Sequence, residues 1–528
     1  MTRLHWPIAL LLVACGPSFA QTAVAESEAL AARFPDPDVS YRTPAFEPGH
    51  DAFTSNAELR ASIQALAADP ANTATVKLID AGSSQAGVPL EALLLSRPAA
   101  GAAHPRVLLI GQQHGDEPAG SEALLVIARE LAQGSLSGLL DRIDVLILPR
   151  ANPDGAAAHR RDTASGIDAN RDHLLLRTPE VQAQAQLVRE FSPVVIVDAH
   201  EFAALGRYVE KFGAAQRPDA LIQYAMVANL PGLVTRAAEE WFRQPLLQAL
   251  KAQGLSSEWY YTTSSDAADK KLSMGGVQPD NGRNVNGLRN AVSFLIETRG
   301  ADLGRAHLLR RVHTHVAAIT SILQSAAARA EDLQRLRRFV DAEIAAKACQ
   351  GDVIVEAAAT TSEYTLAMLD PQTGADKSVN VTWDSALALV PVLKRARPCG
   401  YWLGADQTDA VLRLRGLGVQ VKRIDEAGEL RGEAYTETAR ELGTRGDVRG
   451  SIADGGAVLR GKVALAPALI DGAAGSYYVG LDQPLAHLVI AALEPDTQSS
   501  FVTNRLIDSV SAIARVLRRP MLKLSAVP

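Results

Sequence analysis

Short aliphatic runs alternate along the first half of the chain with stretches whose apolar residues recur at helical spacing. Residues 76–79, 90–95, 107–110, 143–148, 194–197 and 292–296 predict strands. Several of these runs lack polar alternation, as strands covered on both faces do. Residues 56–68, 118–133 and 179–191 predict helices between or before them. Strands interleaved with helices define an α/β class, a sheet with helices on its faces. Residues 219–253 read as helical, and 254–290, rich in Ser, Asp, Gly and Asn, as one long loop of the kind that is usually functional. Residues 305–348 read as helix, with Arg335–Arg338 on a solvated face. Beyond Cys349 the texture changes: strands at 352–356, 378–382 and 419–424, a helix at 406–417 and a closing helix at 504–517 make a second, smaller α+β unit. The resulting division is 1–20, a lead-in 21–55 punctuated by Pro35, Pro37, Pro44 and Pro48, a main domain 56–345, and 346–528.

The amino end stands apart. Arg3 and His5 precede an apolar run at 8–14, followed by Ser18 and Ala20 in a small-x-small ending. The run is too short to span a membrane and has the form of a secretory signal cleaved after Ala20. Leu12-Val13-Ala14-Cys15 also resembles a lipobox, so the expectation is an exported protein, periplasmic or lipid-anchored at the outer membrane through Cys15. In an oxidising compartment Cys349 and Cys399 read as a candidate disulfide or as two buried thiols. Closing a loop of that length would contribute on the order of 3 to 4 kcal/mol. With 53 Lys+Arg against 59 Asp+Glu, a net charge of −6 and 5% aromatics, the chain lacks the basic stripe of a nucleic-acid binder. The expected partner is a small molecule, a peptide or a glycan. Oligomeric state is left open, as is the Arg445-Gly446-Asp447 triplet, short enough to be chance.

Chemistry gathers at two predicted strand ends. Gly111-Gln-Gln-His114-Gly-Asp-Glu117-Pro118 follows the strand at 107–110, and Asp198-Ala-His200-Glu201 follows the one at 194–197. The carboxyl edge of such a sheet is where α/β folds collect ligands. Two histidines and a glutamate form an open catalytic zinc set, with a fourth position left for water or substrate. Glu297, at the end of the strand 292–296, would be a third strand-end group at that edge; the alternative for it is an ion pair with Arg299.

In order, His114-x-x-Glu117, Asn152-Pro-Asp-Gly155, Gly166-Ile-Asp-Ala-Asn170-Arg171-Asp172, Asp198-Ala-His200 and Leu295-Ile-Glu297-Thr resemble the motifs of the zinc carboxypeptidases, the M14 metallopeptidases. The resemblance implies an α/β/α sandwich on a mixed sheet and one Zn²⁺ held by His114, Glu117 and His200. It makes Glu297 the glutamate that activates the attacking water, and Asn170 and Arg171 the pair that holds the substrate's terminal carboxylate. Arg161, with Arg160 as a substitute, matches the arginine that steadies the oxyanion, and Asp168 the carboxylate that orients a zinc-bound histidine. Two departures concern substrate choice. Tyr260 and Tyr261 stand farther from Glu297 than the family's loop tyrosine does, so neither is given that role. The segment 279–289 does not align; Arg283 or Arg289 in it could favour an acidic side chain, but both read first as solvated loop charges.

The expected activity is therefore exported, zinc-dependent removal of C-terminal residues from peptides or peptidoglycan stem peptides. Two other readings stay open: an amidohydrolase of N-acyl amino acids similar to aspartoacylases, and a lipid-anchored binding protein without turnover.

Overall fold

Along the central strand that leads to His114, Val107 and Leu109 enter one apolar cluster while Leu108 and Ile110 enter another. That two-residue period is what a strand imposes, and both of its faces are covered. The computed structural model of the chain describes residues 25–98, 103–444 and 457–527. The expected export signal with Cys15 and the Arg445-Gly446-Asp447 triplet lie outside the described residues. The strands before residue 397 are β1 (Thr75–Ser83), β2 (Pro89–Ser96), β3 (Arg106–Gly111), β4 (Asp144–Leu148), β5 (Val195–Phe202), β6 (Ala215–Gln216), β7 (Ala220–Tyr224), β8 (Ser257–Trp259), β9 (Lys271–Ser273), β10 (Val292–Arg299), β11 (Asp352–Leu369) and β12 (Asp376–Ala396).

Eight of them form one mixed sheet in the order β1-β2-β4-β3-β5-β10-β7-β8. β4, β3, β5 and β10 run parallel, while β1, β2 and β7 enter antiparallel. Every residue of β5 and β10 is buried. Helices Ala119–Ala132 and Leu308–Ala328 pack together on one face, and Pro179–Phe191 contributes Ala183 and Leu187 to the cluster on the other. The class is α/β, a mixed sheet with helices on both faces. The helix Asn56–Ala68 opens with a reciprocal cap, in which Ser55 accepts from the Glu58 N–H and Glu58 accepts from the Ser55 N–H.

The lead-in is bound to this core rather than extended away from it. Ser27 caps a one-turn helix, Glu28–Ala31, and Leu30 and Phe34 are buried in the main cluster. Glu26 pairs with Arg299 at 2.6 Å and with His307 at 2.9 Å.

Beyond the helix Ala330–Ala346, β11 and β12 form a long hairpin. It joins β6 and β9 in a second sheet, ordered β6-β11-β12-β9. The hairpin's turn reaches the lead-in, where Ser27 donates to Pro371 O at 2.9 Å and Arg33 to Gly374 O at 2.7 Å. A third sheet, sheet-rich as an added C-terminal unit, combines β13 (Gly400–Leu403), β14 (Lys422–Ile424), β15 (Gly428–Thr444), β16 (Ala457–Gly472), β17 (Tyr477–Gly480), β18 (Ile513–Val516) and β19 (Leu524–Ala526). Its polar centre is Glu494, wholly buried, which accepts from Tyr401 at 2.7 Å and Arg395 at 2.5 Å. Cys349 and Cys399 are joined in a disulfide at the root of the β11–β12 hairpin. Among the described residues no helix is long and apolar enough to cross a membrane.

Three sequence expectations change. Residues 220–224, read as helix, are β7, whose five residues are all buried and so show no alternation. Within the expected loop, Gly282–Leu288 is a buried helix, capped by Asn281 on the Asn284 N–H. The expected closing helix at 504–517 is instead a turn followed by β18, which pairs with β13 and β15.

Candidate metal centre and active site

His114 leaves the carboxyl end of β3, Glu117 follows in the turn before the helix Ala119–Ala132, and His200 lies on β5 beside it. Their three donor groups converge. Glu117 Oε1 is 2.8 Å from His114 Nδ1, Glu117 Oε2 is 2.8 Å from His200 Nδ1, and the two imidazole nitrogens face each other at 3.0 Å. All three residues are buried, and their ligand atoms lie within 4.8 Å of one another. Two imidazole nitrogens pointed at a common carboxylate form a donor set for one cation.

The surroundings favour positive charge. His114 Nε2 meets Asp168 Oδ1 at 3.2 Å, and His200 Nε2 meets Asp198 Oδ2 at 2.9 Å. Each ring thus has a carboxylate on the side away from the ligand set, which fixes its orientation and raises its basicity. Burial resists ionisation of Glu117, yet the His114 and His200 imidazoles hold its carboxyl well below the usual range. Burial likewise opposes charge on His200, but Asp198 and Glu117 raise its pKa well above normal. Zinc fits this donor set, and the site is a zinc site.

Asp168 thus lies against His114. Asp198 does the same for His200 and was overlooked, although period two on a strand puts residues 198 and 200 on one face. Gln113 extends the support, donating to Asp198 at 2.5 Å and meeting His173 at 2.8 Å. Arg161 binds Asp168 through Nε and Nη2, at 3.1 and 2.9 Å, and turns Nη1 toward His114 Nδ1 at 3.0 Å. Arg160 is exposed. Asn152 ties the loops together, accepting from Gly155 N at 2.9 Å and donating to Arg161 O at 3.3 Å.

Asn170 stands between the histidine and the buried helix. Its Nδ2 is 3.3 Å from His200 Nε2, and its Oδ1 accepts from Gly282 N at 2.8 Å. Arg171 bonds Asn170 O through Nη1 at 2.8 Å, while its Nε has no acceptor. Glu297 faces His200 in register across the β5–β10 pair. It is not paired with Arg299, whose guanidinium is taken by Glu26. Burial, and then the charge of Glu117, push the Glu297 carboxyl up to about 7.

Two further residues feel Glu297, neither of them given a site role from the sequence. Burial and then Glu297 raise the Tyr260 hydroxyl to about 12. The Arg283 guanidinium lies over the Tyr260 ring at 5.7 Å and is lowered to about 10 by burial. Both arginines of the unaligned segment are buried rather than solvated, Arg283 at 5% exposure and Arg289 at 6%. Only Arg283 is near this site, since Arg289 leaves the far end of the helix Gly282–Leu288.

A buried two-histidine, one-glutamate centre at the carboxyl edge of an α/β sheet, with arginines beside it, defines a metal-dependent hydrolase. Residues 59–205 match the zinc carboxypeptidase family, Peptidase_M14. Carboxypeptidase 2 of Trichophyton rubrum is 29% identical over 406 residues, 75% of this chain and 73% of that protein. Carboxypeptidase D of Homo sapiens is 31% identical over 136 residues, 20% of this chain and 10% of that one. Among solved structures, carboxypeptidase A from Helicoverpa armigera covers 57% of this chain and 80% of its own at 18% identity and a TM-score of 0.42. A metallo-carboxypeptidase from Burkholderia cenocepacia covers 52% and 70% at 19% identity and a TM-score of 0.40. Residues 59–205 thus carry a zinc carboxypeptidase domain of the M14 type.

Proposed function

We propose that this enzyme is exported and trims C-terminal residues from free peptides, with Glu297 as the proton-transfer group and Arg171 as the anchor of the terminal carboxylate. The observation that carries the reading is the placement of Glu297: buried, in register with His200 and without an ion pair among the described residues. When bound by His114, Glu117 and His200, zinc supplies a Lewis acid and an acidified water. Glu297 is positioned to take the proton of the attacking water and return it to the leaving amine. A carboxyl raised by burial toward neutrality suits both halves of that transfer.

Arg161 is held by Asp168 and keeps one Nη group toward the ligand set, where it can donate to a developing oxyanion. Arg171 has its Nε free to grip a carboxylate in a fork, and Asn170 adds an amide beside it. Arg283 and Tyr260 form the adjoining wall and favour a substrate with an acidic or hydrogen-bonding side chain.

The test is mass spectrometry of a peptide mixture, of muropeptides and of N-acyl amino acids after incubation with zinc-loaded protein, with and without chelator. Loss of single C-terminal residues from the peptides, abolished by chelation, is expected. Cleavage confined to acylated single amino acids, or cleavage unchanged after metal removal, overturns the reading. Export is checked by the mass of the mature amino terminus, beginning after Ala20 or at a lipidated Cys15.

A further inference from the structure

We propose that a cavity at the opposite edge of the main sheet from the zinc site binds a phosphate-class dianion through Arg289, Arg189 and Arg337. The cavity has a volume of about 210 Å³. Pro193 and Ala291 in its lining stand just before β5 and β10, two residues and one residue ahead of them, and the other ends of these strands carry His200 and Glu297. Gly418 and Gln483, from the C-terminal unit, complete the opposite wall.

Arg289 is the reason to assign a ligand. It is 6% exposed, its Nε is buried without an acceptor, and its side chain has no carboxylate partner among the described residues. A buried guanidinium without a counter-charge is costly unless something else supplies one. The charged groups facing it, Arg337 and Arg189, are cations too; with burial the larger cause, they depress its pKa to about 9. Asp341 is the one carboxylate in the lining, and it is already engaged by Arg337 Nε at 2.7 Å and Asn290 Nδ2 at 2.7 Å. Among the described residues the Arg189 guanidinium has only an exposed contact with Glu190 at 3.4 Å. Three guanidiniums against one carboxylate leave the lining two positive charges in excess, which matches a doubly charged tetrahedral oxyanion. Guanidinium forks suit such an anion, each offering paired N–H donors.

The experiment is calorimetric titration of the zinc-loaded full-length enzyme with inorganic phosphate, glycerol phosphate and succinate. Phosphate or its monoester should bind at one saturable site, and the tighter of the two names the source, free anion or phosphorylated metabolite. Arg289→Met should weaken binding at least about tenfold, as expected for losing a charged hydrogen-bonding partner. Arg189→Gln, at an exposed helix position with little risk to folding, should weaken it in the same direction and leave peptide cleavage unchanged. Phosphate binding that is absent, equal in wild type and both variants, or weaker than succinate binding overturns the proposal. Equal binding would place the anion at the zinc site instead.

Discussion

Glu297 is the residue whose change best separates chemistry from architecture. It touches none of the ligand side chains by hydrogen bond, so Glu297→Gln should keep shape and burial while removing the carboxylate that we propose accepts the proton. We expect unchanged zinc content by metal analysis and a fall in kcat of at least about a hundredfold in a steady-state peptide assay. Zinc lost together with activity would mean that the residue holds the site rather than moves the proton. At this scale the metal ligands were legible because each stands where an aliphatic run ends, and strand ends are where chemistry is displayed. Asp198, Tyr260 and Arg283 were harder to see. The first is hidden inside a motif read for its histidine, and the other two come from a segment whose spacing says nothing about burial. A sequence shows the charge of Arg283 and Arg289 directly, but a guanidinium's solvent exposure depends on which helix covers it.

Elements place these residues by close approach. A Cβ on Gly115 would fall 1.9 Å from the Gly155 carbonyl carbon, so the turn carrying His114 and Glu117 packs directly on the backbone of the Asn152–Gly155 loop. Gly115→Ala should therefore displace one of two loops that both serve the zinc site. A loss of about 1 to 3 kcal/mol in unfolding free energy is expected, with weakened zinc retention during dialysis against a mild chelator. Wild-type stability and zinc affinity in that variant would show that the loops have slack.

The strands of the sheet were readable because aliphatic runs between helices have few other uses. β7 was not, since a strand buried on both faces lacks the alternation that distinguishes it from a helix. The helix Gly282–Leu288 was hidden by its glycines and asparagines, poor helix formers that are held here by the Asn281 cap and by packing. The β11–β12 hairpin buttresses the segment carrying Tyr260: Trp383 packs against Tyr261 at 5.7 Å, and Asp384 O accepts from Met274 N at 3.0 Å. No local pattern announces such a contact, because its partners are more than 100 residues apart.

Across the whole molecule, the join between the hairpin and the C-terminal unit makes stability depend on pH. His487 is 7% exposed and receives an N–H from Arg397 at 3.1 Å. Burial first, then Arg397 and Lys347, lower its pKa to about 3, against about 6.5 in an unfolded chain. The unfolded chain therefore takes up the proton first. The contribution is fully present above about pH 6.5 and is lost as pH falls toward 3, with a limiting slope of about 1.4 kcal/mol per pH unit. Chemical denaturation at several pH values should show this decline in the wild type and a shallower one in His487→Gln. An unchanged slope in the variant would assign the dependence to other groups.

The disulfide at the root of the hairpin has a covalent consequence. With Cys349 bonded to Cys399, the intervening chain is a closed ring, and its farthest point, the turn at residues 370–375, rests against the lead-in. A single peptide-bond cut in that turn opens the ring without freeing either piece, because both severed arms remain tied through sulfur and stay paired as strands. The turn of this hairpin is thus a place where cleavage costs no part of the molecule.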